Sequence, residues 1–105
     1  MSQTLIVLFN LKPGVDAAAY ENWAQATDIA TVKTLESCDD FKVYRSAGLL
    51  MSEASPPYQY VEIIQVNDMA IFGDEVGSDT MQKVAGEFQT FADNPIFMLT
   101  DDIEG

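Results

Sequence analysis

The chain has 105 residues, 48% of them hydrophobic, which predicts a single domain over residues 1–105. Seventeen acidic residues against five Lys and Arg give a net charge of −12, which repels phosphate backbones and anionic lipid head groups. We therefore expect no nucleic-acid partner and no membrane association. The apolar stretch at residues 5–9 is far shorter than the roughly 20 residues that span a bilayer, and no basic segment typical of an export signal precedes it. A cytoplasmic location is expected.

Few residues of the chain could act as an activated nucleophile or bind zinc, because it has one cysteine, Cys38, and no histidine. Internal disulfides, Cys/His zinc sites and histidine-activated nucleophiles are thereby excluded. The acidic neighbours Asp39 and Asp40 favour a structural thiol over a catalytic one. The adjacent carboxylates at 39–40 and 101–102 lack the further oxygen ligands of a calcium loop, and no glycine-rich nucleotide loop is present. We expect no bound metal and no cofactor.

The N-terminal half is predicted to form a strand, a helix and a second strand. Residues 3–11 form an apolar run that suits a central strand buried on both faces. Asp16 is a plausible helix N-cap, and strong helix formers follow it, with apolar residues at three- and four-residue spacing. Asp28 marks a candidate break in this helix. Residues 41–47 alternate as a strand does.

The C-terminal half is predicted to form a strand, two helical segments and a last strand. Side chains in residues 58–66 point alternately to two faces, both of them partly apolar. The Asn-Asp pair that follows can cap a short helical turn, and Ser78 or the aspartate after it can cap a second helix. The Asp-Asn-Pro sequence at 93–95 predicts a turn, after which residues 96–99 begin a last strand.

The order β-α-β-β-α-β predicts an α+β fold, a ferredoxin-like two-layer sandwich in which a four-stranded antiparallel sheet carries both helices on one face. The first and third strands have apolar residues on both sides, so the open face of the sheet needs a cover. A second copy packed against this face would give a homodimer, a dimeric α+β barrel. The alternative is a monomer with exposed apolar strand residues.

Two charged residues in the predicted strands are candidates for chemistry. Glu62 is the only acidic residue in the apolar third strand, and desolvation by its neighbours would raise its pKa toward that of a useful general acid or base. Arg45, in the second strand, could hold a carboxylate or phenolate in its planar fork. The structural alternative is a salt bridge between Arg45 and Glu62, reachable if the two strands pair as a hairpin.

Aromatic residues could line a pocket for a planar heteroaromatic ligand, because their rings are flat and several carry a polar tip. The candidates are Tyr20, Trp23, Tyr44, Tyr58 and Tyr60. The alternative is that these rings are simply part of the hydrophobic core.

Four segments resemble the RedY-like family: YENW at residues 20–23, FKVYR at 41–45, PYQYVEII at 57–64 and FADNP at 91–95. The resemblance covers nearly the whole chain. It implies a dimeric α+β barrel and a role in bacterial secondary metabolism, because the family is associated with biosynthesis of prodiginine-type tripyrrole pigments. Many related barrels use histidine, which this chain lacks.

The resemblance implies three functional hypotheses. In the first, the protein promotes condensation of an aromatic pyrrole-type intermediate with an aldehyde: Glu62 shuttles the proton and Arg45 and Tyr44 polarise oxygen. Substrate contacts would come from Asp28 and the aromatic wall. In the second, the protein is a non-catalytic carrier or chaperone of a pigment precursor. In the third, it is a cofactor-free monooxygenase, as some related barrels are.

Overall fold

The computed structural model describes residues 2–103. Its strands are β1 (Gln3–Leu11), β2 (Cys38–Arg45), β3 (Tyr60–Val66) and β4 (Ala92–Thr100), and its helices are α1 (Ala17–Trp23), α2 (Ile29–Val32), α3 (Met69–Val76) and α4 (Asp79–Phe91), with a π-helical segment (Ala24–Asp28) between α1 and α2. Within residues 2–103, no helix is both long enough and apolar enough to cross a membrane.

The four strands form one antiparallel sheet in the order β2-β3-β1-β4, with the helices packed on one face. This architecture is the ferredoxin-like α+β sandwich that the sequence predicts. β1 and β3 are the inner strands, which explains why both are apolar on their two faces. β1 has the bounds that the sequence predicts, whereas β2 begins three residues earlier than expected and β3 two residues later.

The predicted turn at residues 93–95 is wrong, because these residues belong to β4. The register between β1 and β4 shifts between Leu8 and Asn10, and Asn94 takes a left-handed backbone conformation with φ 45°. Pro95 is compatible with this position because β4 is an edge strand, where a missing N–H can be tolerated. The irregular pairing therefore replaces a turn.

The helix does not break at Asp28, because its backbone stays helical through a π turn that ends there. Tyr20, Ala24, Asp28 and Val32 are all buried, at intervals of four residues. In a regular α-helix, three such intervals would rotate the last residue by about 120° from the first. The wider π turn reduces that rotation and keeps all four side chains on the face that packs against the sheet.

Phe9 is the centre of the core between the sheet and the helices, and its side chain is fully buried. Its ring packs edge-on against Tyr20 of α1 at 5.5 Å and Phe88 of α4 at 4.9 Å, and stacks on Tyr60 of β3 at 5.5 Å. These contacts join β1 and β3 to the two helices. Phe9 therefore fixes the distance between the layers around the candidate site.

We expect Phe9→Ala to lower the free energy of unfolding by about 3–5 kcal/mol, because removing a fully buried ring leaves a cavity that the surrounding side chains fill only partially. Urea denaturation at fixed protein concentration measures this loss. The control is Phe97→Ala, since Phe97 on the edge strand β4 is 55% exposed. Equal losses in the two variants would contradict the central role of Phe9.

Candidate functional site

A cavity of about 210 Å³ lies between the sheet and the helices. Side chains from every strand and from α2, α3 and α4 line it, and nearly all of them are apolar. Asp28 and Glu62 are its two ionisable lining residues among the residues that the structure describes. The cavity is thus an apolar space with carboxyl groups as its ionisable part, the usual composition of a small-molecule site.

Glu62 reaches this cavity because of its place in the centre of the sheet. Its neighbours across the strands are Val7 of β1 and Val43 of β2, and the side chain is 5% exposed on the face that the helices cover. The Tyr20 hydroxyl donates a long hydrogen bond of 3.4 Å to Glu62 Oε2. A carboxyl group in such surroundings is largely desolvated, as the sequence predicts for Glu62.

Asp28 reaches the same cavity from the opposite layer, at the end of the π-helical segment. It is 5% exposed, and within residues 2–103 no group donates a hydrogen bond to its carboxylate. A buried carboxylate normally finds a donor. Asp28 is therefore a buried acid whose hydrogen-bonding capacity is directed at the cavity.

Burial raises the pKa values of both carboxyl groups well above the ordinary range. For Glu62, the next cause is repulsion by the Asp28 charge, which raises the pKa further, whereas the hydrogen bond from Tyr20 lowers it. Burial and the nearby carboxylates also raise the pKa of Tyr20. Two interacting acids titrate as a pair, so the raised pKa values mean that this pair holds a proton to higher pH than ordinary carboxyl groups do.

Arg45 has a different partner from the one that the sequence predicts. Its Nε and Nη2 atoms donate to the two carboxylate oxygens of Glu21 at 2.9 and 3.0 Å, and the Tyr60 hydroxyl donates to Glu21 Oε2 at 2.7 Å. The predicted Arg45–Glu62 salt bridge is wrong, because the register pairs Arg45 with Tyr60 and leaves Glu62 opposite Val43. The residue that binds Arg45 is instead Glu21 of α1.

Together with Tyr20, the three bonded residues Glu21, Arg45 and Tyr60 line a second cavity of about 190 Å³. Hydrogen bonds from Tyr60 and then Arg45 hold the pKa of Glu21 below its ordinary value. Sequence reasoning missed Glu21, and the signal for it was weak: it is a good helix former beside Tyr20 in a chain with many other carboxylates. Only the docking of α1 on the sheet selects it.

The candidate residues therefore fall into separate groups. Asp28 and Glu62 line the first cavity, whereas Tyr20, Arg45 and Tyr60 line the second. Tyr20 is connected to the first cavity by the hydrogen bond from its hydroxyl to Glu62. Trp23 packs between helices, where its Nε1 donates to Glu87 Oε1 at 2.9 Å and its ring lies against Phe91. That position matches the core alternative.

Tyr44 lies on the opposite face of the sheet from Glu62. It pairs with Val61 in the register, and successive side chains on a strand point to opposite faces. Its side chain is 48% exposed. The structure does not bring Tyr44 into contact with the carboxyl pair.

Within residues 2–103, no group of three or more carboxylate or thiol side chains is arranged to hold a metal ion. The Cys38 thiol is buried, and burial raises its pKa, as does the nearby charge of Asp40. This raised pKa disfavours the reactive thiolate form.

The sequence matches the family model described as "REDY-like protein HapK" over residues 3–103. No curated protein sequence has a significant match to the chain. The crystal structure of HapK from Hahella chejuensis is similar to this chain, with 28% sequence identity and a TM-score of 0.78, and the match covers 100% of this chain and 95% of HapK.

Two more distant structures share the fold. Hydroxynitrile lyase from Passiflora edulis is 12% identical with a TM-score of 0.82, and the match covers 99% of this chain and 95% of that protein. A dimeric ferredoxin-like protein of unknown function from Jannaschia sp. is 14% identical with a TM-score of 0.76, over 97% of this chain and all of that one. At these identities the likeness concerns the fold alone.

The raised pKa values of Asp28 and Glu62 predict that stability falls as pH rises. Between the ordinary carboxyl pKa and the raised folded-state pKa, the folded protein holds protons that the unfolded chain has lost. Each such group lowers the free energy of unfolding by about 1.4 kcal/mol per pH unit. Urea denaturation at pH 5.5, 6.5 and 7.5 measures the slope.

Asp28→Asn and Glu62→Gln should each flatten this slope, because an amide does not titrate in the window. Glu21→Gln is the control: the pKa of Glu21 is lowered, so its stabilisation is lost only at more acidic pH. The assignment fails if the wild type and both amide variants have the same slope.

Proposed function

The chain belongs to the family of the REDY-like protein HapK, and we propose that it binds an aromatic pyrrole-type intermediate of a bacterial prodiginine-like pigment pathway and assists its condensation by acid–base catalysis. The observation that carries this proposal is the pair of buried carboxyl groups, Asp28 and Glu62, in an otherwise apolar cavity. A planar ring system can fill the apolar space while its reacting atoms meet the carboxyl groups. The proposal locates this activity in the cytoplasm.

In the proposed reaction, protonated Glu62 donates its proton to the oxygen of an aldehyde as a pyrrole carbon attacks the carbonyl carbon. A carbon–carbon bond forms, the C=O π bond breaks, and the displaced pyrrole proton passes to the carboxyl pair. Protonation of the resulting hydroxyl group then releases water. Asp28 stabilises the cationic charge that develops on the pyrrole, and the Tyr20 hydroxyl orients Glu62.

In the proposed reaction, Arg45 and Tyr60 form part of the wall of the second cavity and take no part in proton transfer, because both donate hydrogen bonds to Glu21. Tyr44 is assigned to the open face of the sheet. The acid–base set is then Glu62 and Asp28, with Tyr20 as a positioning residue.

We expect Glu62→Gln to slow the condensation of pyrrole-2-carbaldehyde with 2,4-dimethylpyrrole by about 10²–10⁴-fold, because general acid–base catalysis typically contributes that much. The coloured dipyrrin product is followed by absorbance under single-turnover conditions. Glu53→Gln, an exposed substitution of the same type, is the control.

A rate that Glu62→Gln and Asp28→Asn leave unchanged would contradict catalysis by the pair. The second candidate function, a non-catalytic carrier of the precursor, is favoured by the predominance of apolar side chains in the cavity lining. Binding of the aldehyde without turnover, retained in both variants, would decide for the carrier.

We further propose that two copies, each acting as one domain, pack through the open face of the sheet. Two rows of apolar side chains cross this face from strand to strand. One row is Tyr44, Val61, Leu8 and Ile96, and the other joins Ile63, Ile6 and Met98. Ile96 is 40% exposed and Met98 41%, although both lie in apolar rows. Exposed apolar patches of this kind mark association surfaces.

Ile96→Asp should convert the homodimer to a monomer of 11.6 kDa, because each copy would bury an unpaired charge at the interface. Sedimentation equilibrium across a concentration series measures the mass. Ile71→Asp is a matched control, since Ile71 on α3 is 38% exposed but lies on the helical layer. A wild type that sediments as a monomer at every concentration would refute the dimer.

A further inference from the structure

The charge around the first cavity is one-sided. Asp28 and Glu62 are its ionisable lining residues among those described, and Gln89 is the other polar one. None of the five cationic residues of the chain, all of which lie within residues 2–103, lines it. Arg45 is held by Glu21, and Lys33 and Lys42 pair with Asp40 at the surface.

Asp28 adds an independent indication that this cavity is built for a ligand. Asp28 is only 5% exposed, and it lines the cavity. None of the described residues donates a hydrogen bond to its carboxylate. Among the described residues no fully buried side-chain oxygen lacks a hydrogen-bond partner, so the carboxylate oxygens of Asp28 are accessible from the cavity. The group that would satisfy Asp28 is a hydrogen-bond donor inside the cavity.

We propose that the cavity selects ligands that combine an apolar, planar body with a protonated or strongly N–H-donating nitrogen directed at Asp28 and Glu62, and that it rejects ligands carrying a carboxylate. This inference deepens the proposed function and rests on it, since it assumes that the cavity is the ligand site. The substrate would then carry a positive charge or an N–H donor at the end of its ring system that faces Asp28 and Glu62.

Electrostatics explains the preference. Two buried carboxylates without a counter-charge repel each other, and the pair avoids the second negative charge by keeping a proton. A cationic ligand supplies the missing charge and forms charge-assisted hydrogen bonds with both acids. An anionic ligand adds a second negative charge beside the singly charged pair in an apolar cavity, where the charge is costly to bury.

Cation binding should also displace the proton that the pair retains. The titratable groups facing the pair are the two acids themselves and Tyr20 from α1, whereas the lining residues of β1, β2, β4, α2, α3 and α4 are uncharged. The released proton therefore reports on Asp28 and Glu62. It is measured by isothermal titration calorimetry in two buffers of different ionisation enthalpy.

The test compares benzamidine, benzamide and benzoate, which have the same planar ring and differ mainly in charge. Titrated into the full chain at pH 7, benzamidine should bind at least tenfold more tightly than benzamide and release a proton, and benzoate should bind more weakly than benzamide. Methylguanidinium, a cation without the ring, controls for attraction by the net charge of −12.

Asp28→Asn should remove at least tenfold of the benzamidine preference, and so should Glu62→Gln, whereas Asp93→Asn, at an exposed position of β4, should leave it unchanged. Benzoate binding as tightly as benzamidine would overturn the inference. So would methylguanidinium binding as tightly as benzamidine, or a preference that survives in both cavity variants. The ligand series on the wild type decides even if a variant does not fold.

Failure of this inference can be distinguished from failure of the proposed function. If the charge preference is absent while Glu62→Gln still slows condensation, the selectivity is wrong and acid–base catalysis stands. If benzamidine is preferred while the condensation rate is unaffected by both variants, the cavity binds cations and the reaction takes place elsewhere.

Discussion

Burial of two carboxyl groups, Asp28 and Glu62, beside the same apolar cavity is the constraint on which the candidate site depends. Each would ionise readily in water, but burial raises the pKa of both, and the charge of Asp28 raises that of Glu62 further. The fold places the two acids on opposite layers, so the proton is held where sheet and helices face each other. The core packing around Phe9 and Tyr20 therefore sets the geometry of the acid pair as well as the stability of the domain.

The fold could be predicted from the sequence because two periodicities carry it. The apolar run of β1, the alternation in β2 and β3 and the three- and four-residue spacing in the helices give the element order, and that order allows few topologies. The π-helical segment and the shifted register of β4 were not predictable in the same way. Each inserts a local irregularity whose benefit arises only in the tertiary structure: one keeps Asp28 facing the sheet, and the other lets residues 93–95 continue the strand.

The site was partly predictable for the same reason. Glu62 stands out as an acid within an apolar strand, and its burial follows from that pattern. The partner of Arg45 does not follow from any pattern, because strand register excludes Glu62 and helix docking brings Glu21 within reach. The position of Tyr44, by contrast, follows from the pattern once the strands are paired. Val43 lies opposite Glu62, and alternation along β2 places Tyr44 on the other face of the sheet from Val43.

β3 links the two surfaces of the protein, since it directs Glu62 into the cavity while Val61 and Ile63 point to the open face. A second copy packed on that face would restrain the strand that carries the acid. Two copies also bring together two large negative charges, which opposes association. Four of the seven residues in the apolar rows lie on the inner strands β1 and β3, whereas Asp40 and Lys42 lie on the edge strand β2, where Lys42 pairs with Ile63. At physiological salt, exposed charges more than about 8 Å apart are largely screened. Burial of the apolar rows can therefore outweigh the electrostatic repulsion between the two copies.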